Sequence, residues 1–163
     1  MRITNREYLR SVLFGIEDSL VSTTGLIVGI SAGADDKKIV LLGGIVGIIV
    51  EASSMGAGEY LSDSAVGELD KLKRHRDNPL ISGLLMMTAY LLAGLIPLAP
   101  IIFLNYPLSI WVSVLLALIA LFLLGYLKGR LLHTSPFRGG LKILIVGGFA
   151  TIIGVVVGLL FKL

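Results

Sequence analysis

Five acidic side chains fall inside or against two strongly apolar stretches: Glu17 and Asp18 in the first, and Glu51, Glu59 and Asp63 in the second. In helical spacing Gly15, Asp18, Ser22, Gly25 and Gly29 recur at three- and four-residue steps and draw one stripe of small and polar residues with a carboxylate in it. Gly44, Gly47, Glu51, Ser54 and Gly58 draw a second, with Met55 and Glu59 beside it at four-residue steps from Glu51. Carboxylates are hard oxygen ligands that suit Mg, Mn and Fe(II), whereas a thioether is soft and offers nothing to Mg or Ca. Asp18, Glu51, Met55 and Glu59, with the Ser22 hydroxyl, are therefore candidate ligands along a path for Fe(II) or Mn(II), and Glu17, Ser54 and Asp63 are secondary candidates. The same carboxylates can exchange a departing cation for protons, which makes H+ a natural coupling ion.

Each of these residues also has a plainer reading. An embedded carboxylate can simply hydrogen-bond a neighbouring helix, Met55 can pack, and Met86 and Met87 fit packing better still. Glu17 lies about 100° around the helix from Asp18 and suits a cap or a helix interface as well as a ligand role. His75 and His133 fall in basic loops and read as solvated. Gly25, Gly29, Gly44 and Gly47 let backbones approach closely, within one chain or across a dimer, and Gly33, Gly154 and Gly158 suit close helix packing.

The elements that must hold these groups follow from composition. Of 163 residues 55% are hydrophobic and 15% charged, with a mean hydropathy of +0.92, too apolar for a domain whose surface is solvated by water. A bilayer core takes about 20 apolar residues per crossing, so the length suits five spans and no separate soluble domain. The expected segments are 12–34, 39–65, 80–104, 109–132 and 141–161, separated by GADDKK, ELDKLKRHRDNP, NYP and HTSPFRGG. The fold class is all-α, a polytopic membrane protein with five transmembrane helices in one domain. The N-terminal stretch reads as a retained first helix, not a cleaved leader, because carboxylates interrupt it. Pro97 and Pro100 should distort or end the third helix near its far end. The absence of cysteine removes disulfides, thiolate nucleophiles and Cys-based metal sites. Nucleic acid is not an expected partner, because the basic residues gather at the ends of apolar runs. No nucleophile–base pair or closed ligand set points to an enzyme.

Eleven Lys and Arg residues fall in the N-terminal tail, the second loop and the fourth loop, against Lys37, Lys38 and Lys162 elsewhere. The excess of positive charge predicts a cytoplasmic N-terminus and, after five crossings, a C-terminus outside. At 1.5 Å per residue, Asp18 then lies about 12 Å in from the cytoplasmic side and Glu51 about 10 Å from it. The two carboxylates are expected to be level, with Met55 and Glu59 below them toward the cytosol.

GIEDSLVSTTGLIVGISAG followed by LLGGIVGIIVEASSMGAGEYLSDSA resembles the first two helices of the vacuolar iron transporter family, whose usual form has a similar D-x-L-V-S-T and S-M-A-x-G-E-Y. NPLISGLLMMTAYLLAGLIPLAP and ALFLLGYLKGRLLHTSPFRGGLKILIVGG look like later family blocks. The resemblance implies a five-helix protomer, a homodimer with the ion path along its two-fold interface, and export of Fe(II), often also Mn(II), in exchange for protons. Asp18 matches the family's first-helix aspartate, Met55 its S-M methionine and Glu59 its G-E-Y glutamate. Glu51 departs from the family pattern, which usually has a small residue there. The chain resembles a short form, since many members carry a large acidic cytoplasmic domain between the second and third helices where this sequence has only residues 66–79. Glu68, Asp70 and Asp77 do not replace such a metal store.

The expected function is thus a divalent transition-metal transporter moving its cargo out of the cytoplasm, with no resident cofactor. The host membrane would be the cell membrane of a prokaryote or a vacuolar-type membrane of a eukaryote. The alternatives are a transporter of the same architecture with another substrate or coupling, and a non-transporting membrane metal sensor or scaffold.

Overall fold

The computed structural model describes residues 3–34, 36–69 and 78–162. It contains five helices: α1 (Ile3–Gly33), α2 (Lys37–Leu69), α3 (Pro79–Phe103), α4 (Leu108–Leu131) and α5 (Pro136–Leu160), with no strand among the described residues. All five are long and apolar enough to cross a membrane. Asp70, Asp77, His75 and the basic residues Lys71, Lys73, Arg74 and Arg76 of the second loop lie outside the described residues, as does Arg2.

Local signals account for the helix ends. Asn78 caps α3 by accepting the Leu80 amide at 3.0 Å, and Pro79 follows it in the first turn, where a missing N–H costs nothing. α5 likewise opens on Pro136, five residues before its apolar run. Lys128 and Arg130 occupy the last turn of α4, where cations oppose the negative end of the helix dipole. α1 begins well before residue 12, because its first turns are helical without being apolar; a Glu7–Arg10 pair at 3.0 Å links them at i,i+3 spacing. Pro97 and Pro100 both fall inside α3, which ends three residues beyond Pro100.

α1 is the central strut and packs on each of the other helices, whereas α2 touches only α1 and α3 among the described residues. Small residues set the spacing. A Cβ on Gly29 would lie 2.8 Å from the Gly154 carbonyl oxygen, and one on Gly33 3.0 Å from that of Gly158, so α1 and α5 meet backbone to backbone. Gly15 makes a similar approach to Met86 of α3, and Gly56 of α2 to Gly83 of α3.

Polar contacts mark the two ends of the bundle. At one, Tyr8 accepts the Asn78 amide at 2.9 Å; at the other, Lys37 donates to the Leu104 carbonyl at 2.8 Å and the Ser31 and Tyr106 hydroxyls are 3.1 Å apart. Successive helices therefore run antiparallel. The first end carries Arg6, Arg10, Lys128, Arg130, Arg138 and Lys142 and is called the basic end below. The outer surface is dominated by exposed apolar side chains such as Leu42, Ile49, Leu92, Leu115 and Ile152, which is the surface a bilayer solvates.

Candidate functional site

Glu51 on α2 points at α1 and α3. Its Oε2 accepts a hydrogen bond from Ser22 of α1 at 2.8 Å and another from the Tyr90 hydroxyl of α3, and the Ser22 and Tyr90 hydroxyls also touch each other. Tyr90 is fully buried, and Ser19 donates to its carbonyl oxygen at 2.7 Å, so this part of α3 is held on α1. Asp18, one helical turn before Ser22, is half-buried and within electrostatic reach of both Glu51 and Glu17. Three of the expected residues, Asp18, Ser22 and Glu51, are thus brought within about one helical turn of one another where α1 faces α2.

The other candidates go elsewhere. Glu17 turns toward α4 and pairs with Lys128 at 3.3 Å, an inter-helix role. Glu59 is 8% exposed, and its Oε1 accepts from Arg10 at 2.8 Å and from Ser11 at 2.5 Å. Asp63, a turn further on, is also buried. Met55 is half-buried between the levels of Glu51 and Glu59, while Ser54 and Gly58 lie on an exposed face of α2, with open space around Gly58. Gly25 and Gly29 face α5, Gly44 faces Leu98 of α3 and Ile27 of α1, and Gly47 faces Leu26 of α1, all within the chain. Met86 is buried, its backbone carbonyl lying against Gly15, and Met87 packs on Gly56. His133 is exposed.

The sequence reading missed Tyr90, Arg10 and Ser11. A tyrosine in the middle of an apolar span carries a hydroxyl that needs a partner, and that is the signal that could have marked Tyr90. Arg10 reads in the sequence as a topology signal, and nothing in its spacing shows that it reaches 49 positions along the chain to Glu59.

A groove of about 540 Å³ opens between α1, α2 and α5. Ser22 and Glu51 line it together with Gly25, Gly29, Gly154 and Gly158. Its walls are otherwise apolar, so the carboxylate is the feature able to attract a cation. Among the described residues no three histidine or acidic side chains gather closely enough to enclose a metal.

Residues 9–77 and 67–159 match the VIT family, which together span most of the chain. The chain belongs to the VIT family. It is similar to vacuolar iron transporter homolog 1 of Arabidopsis thaliana, 28% identical over 156 residues that cover 88% of this chain and 78% of that protein. Vacuolar iron transporter homolog 4 of the same plant is 29% identical over 155 residues, with the same coverage. VIT-like transporter 1b of Glycine max is 26% identical over 164 residues, covering 88% of this chain and 72% of that protein. VIT family membership and five apolar helices make the chain a multi-pass integral membrane protein.

Proposed function

We propose that the chain carries a divalent transition metal, Fe(II) or Mn(II), out of the cytoplasm in exchange for protons, and that it does so as a homodimer. The observation that carries this reading is the gathering of Asp18, Ser22 and Glu51 within about one helical turn inside the apolar part of the bundle. Ionisable groups there are costly and are retained where they face a partner charge, a cavity or a transported ion. The names of the plant relatives, as iron transporter homologs, support the metal as cargo.

Ser22 and Tyr90 both occupy Oε2 of Glu51, which leaves Oε1 for a cation, and Asp18 supplies a second carboxylate nearby. Two carboxylates neutralise a divalent ion, with Met55, water or a second copy completing the ligand set. A proton arriving at the same oxygens weakens the metal's hold, and a metal arriving displaces protons, which is the elementary step of antiport. Release opens toward the groove between α1, α2 and α5. The exposed face of α2 with Ser53, Ser54, Ala57 and Gly58 is small and polar where lipid contact favours bulky apolar groups, and a second copy closing over it would place two such half-paths side by side.

In sealed proteoliposomes Fe(II) or Mn(II) should move when a pH gradient is imposed, and the flux should fall about tenfold or more in Asp18→Asn and in Glu51→Gln, each of which removes a cation-binding charge. Undiminished flux in both variants would remove these residues from the path. Absence of flux in the unaltered chain would favour a membrane sensor or scaffold.

A further inference from the structure

About 12 Å along α2 from Glu51, toward the basic end, three helices meet at a second polar junction. Glu59 and Asp63 stand one turn apart on α2, 8% and 5% exposed, and Ser11 of α1 and Ser82 of α3 are fully buried. Ser11 and Ser82 share a level, because each lies one turn nearer the basic end than a partner in the Gly15–Met86 contact between parallel helices. α3 also meets α2 here, where Gly83 packs on Gly56 and Tyr60.

Charges and hydrogen bonds at this junction do not balance. Arg10 donates to Glu59 at 2.8 Å but is shared with Glu7 at 3.0 Å. It reaches Asp63 only through its field. Among the described residues Asp63 Oδ2 and Ser82 Oγ are buried without any hydrogen-bond partner. A buried carboxylate oxygen left unpaired is expensive, and Asp63 Oδ2 is the one carboxylate oxygen among four such buried atoms of the described residues, the others being the hydroxyls of Ser82, Thr23 and Ser109. Two carboxylates and two hydroxyls form an all-oxygen set suited to Mn(II), Mg or Ca. The Arg10 side chain is 54% exposed, so the guanidinium sits at the mouth and can withdraw into solvent.

We propose that Glu59, Asp63, Ser11 and Ser82 form a second divalent-cation site inside a single protomer, and that Arg10 is a tethered cation occupying it until the metal displaces it. The site's role as a loading station for the path at Asp18 and Glu51 rests on the transport reading; its binding does not. Displacement frees Arg10 to remain with Glu7, so the metal replaces one positive charge by two at the two buried carboxylates. No proton need move.

The test uses the full chain in nanodiscs with Mn2+ alone as the probe, free ion being counted by electron paramagnetic resonance. In an Asp18→Asn, Glu51→Gln background, binding of one Mn2+ per protomer should persist and should vanish when Glu59→Gln and Asp63→Asn are added. Adding Arg10→Gln to that background should tighten binding by about tenfold or more, since a competing charge at contact distance is removed. A gain of this kind cannot come from misfolding. No Mn2+ binding in that background, with or without Arg10→Gln, would overturn the proposal, as would binding indifferent to Glu59 and Asp63. Binding of this kind by an unaltered chain that moves no Fe(II) or Mn(II) in proteoliposomes would instead strike the transport reading and leave this site standing.

Discussion

Glu51 shares one oxygen between two hydroxyl donors that come from different helices, and the two are not equivalent. Tyr90 is fully buried and locked by packing, whereas Ser22 is half-buried beside the groove. A hydrogen bond to a charged group contributes roughly 1.5–3 kcal/mol, so Tyr90→Phe should let the carboxylate turn and raise the transport KM about tenfold while leaving the fold intact. A concentration series in proteoliposomes measures this; an unchanged KM would show that Ser22 alone orients Glu51. The residue spacing on α1 and α2 predicts Asp18 and Glu51 at one level, because rise per residue and antiparallel pairing fix depth; the hydrogen bond to Ser22 sets Glu51 about one turn along α1 from Asp18. Tyr90 was not legible, since nothing local in α3 says which helix its hydroxyl will meet. Glu17 and Glu59 show the same limit: a carboxylate's depth follows from its number in the chain, but its partner, Lys128 or Arg10, depends on which helices become neighbours.

At the scale of helices, the Gly29–Gly154 and Gly33–Gly158 approaches decide where α1 can stand, and α1 carries Asp18 and Ser22. Gly29→Leu forces the two backbones apart and should cost about 1–3 kcal/mol of stability, as overpacking does. It should also slow flux without touching a carboxylate, since Ser22 would move away from Glu51; thermal unfolding in detergent and flux read the two effects separately. Unaltered stability would contradict the backbone-to-backbone contact. The five spans themselves were legible from hydropathy, and α3 and α4 fall within one residue of expectation at each end. The early starts of α1 and α5 were not, because a polar helical turn and a proline-opened turn carry no apolar signal.

For the whole molecule, orientation and assembly carry the direction of transport. The concentration of Lys and Arg at one end predicts that this end is cytoplasmic. With no cysteine in the sequence, Ser135→Cys and Lys162→Cys each give a single label position. A membrane-impermeant maleimide should label Lys162→Cys in right-side-out vesicles and Ser135→Cys only in inverted ones; the reverse pattern would turn the export reading around. The central claim is that a transported cation rests between Asp18 and Glu51 inside the membrane. Anomalous scattering at the manganese edge from Mn(II)-soaked crystals tests it most directly. A peak within coordination distance of both carboxylates, absent in Asp18→Asn, Glu51→Gln crystals, is the predicted result; a peak unaffected by those substitutions, or none at this level under saturating Mn(II), would contradict it.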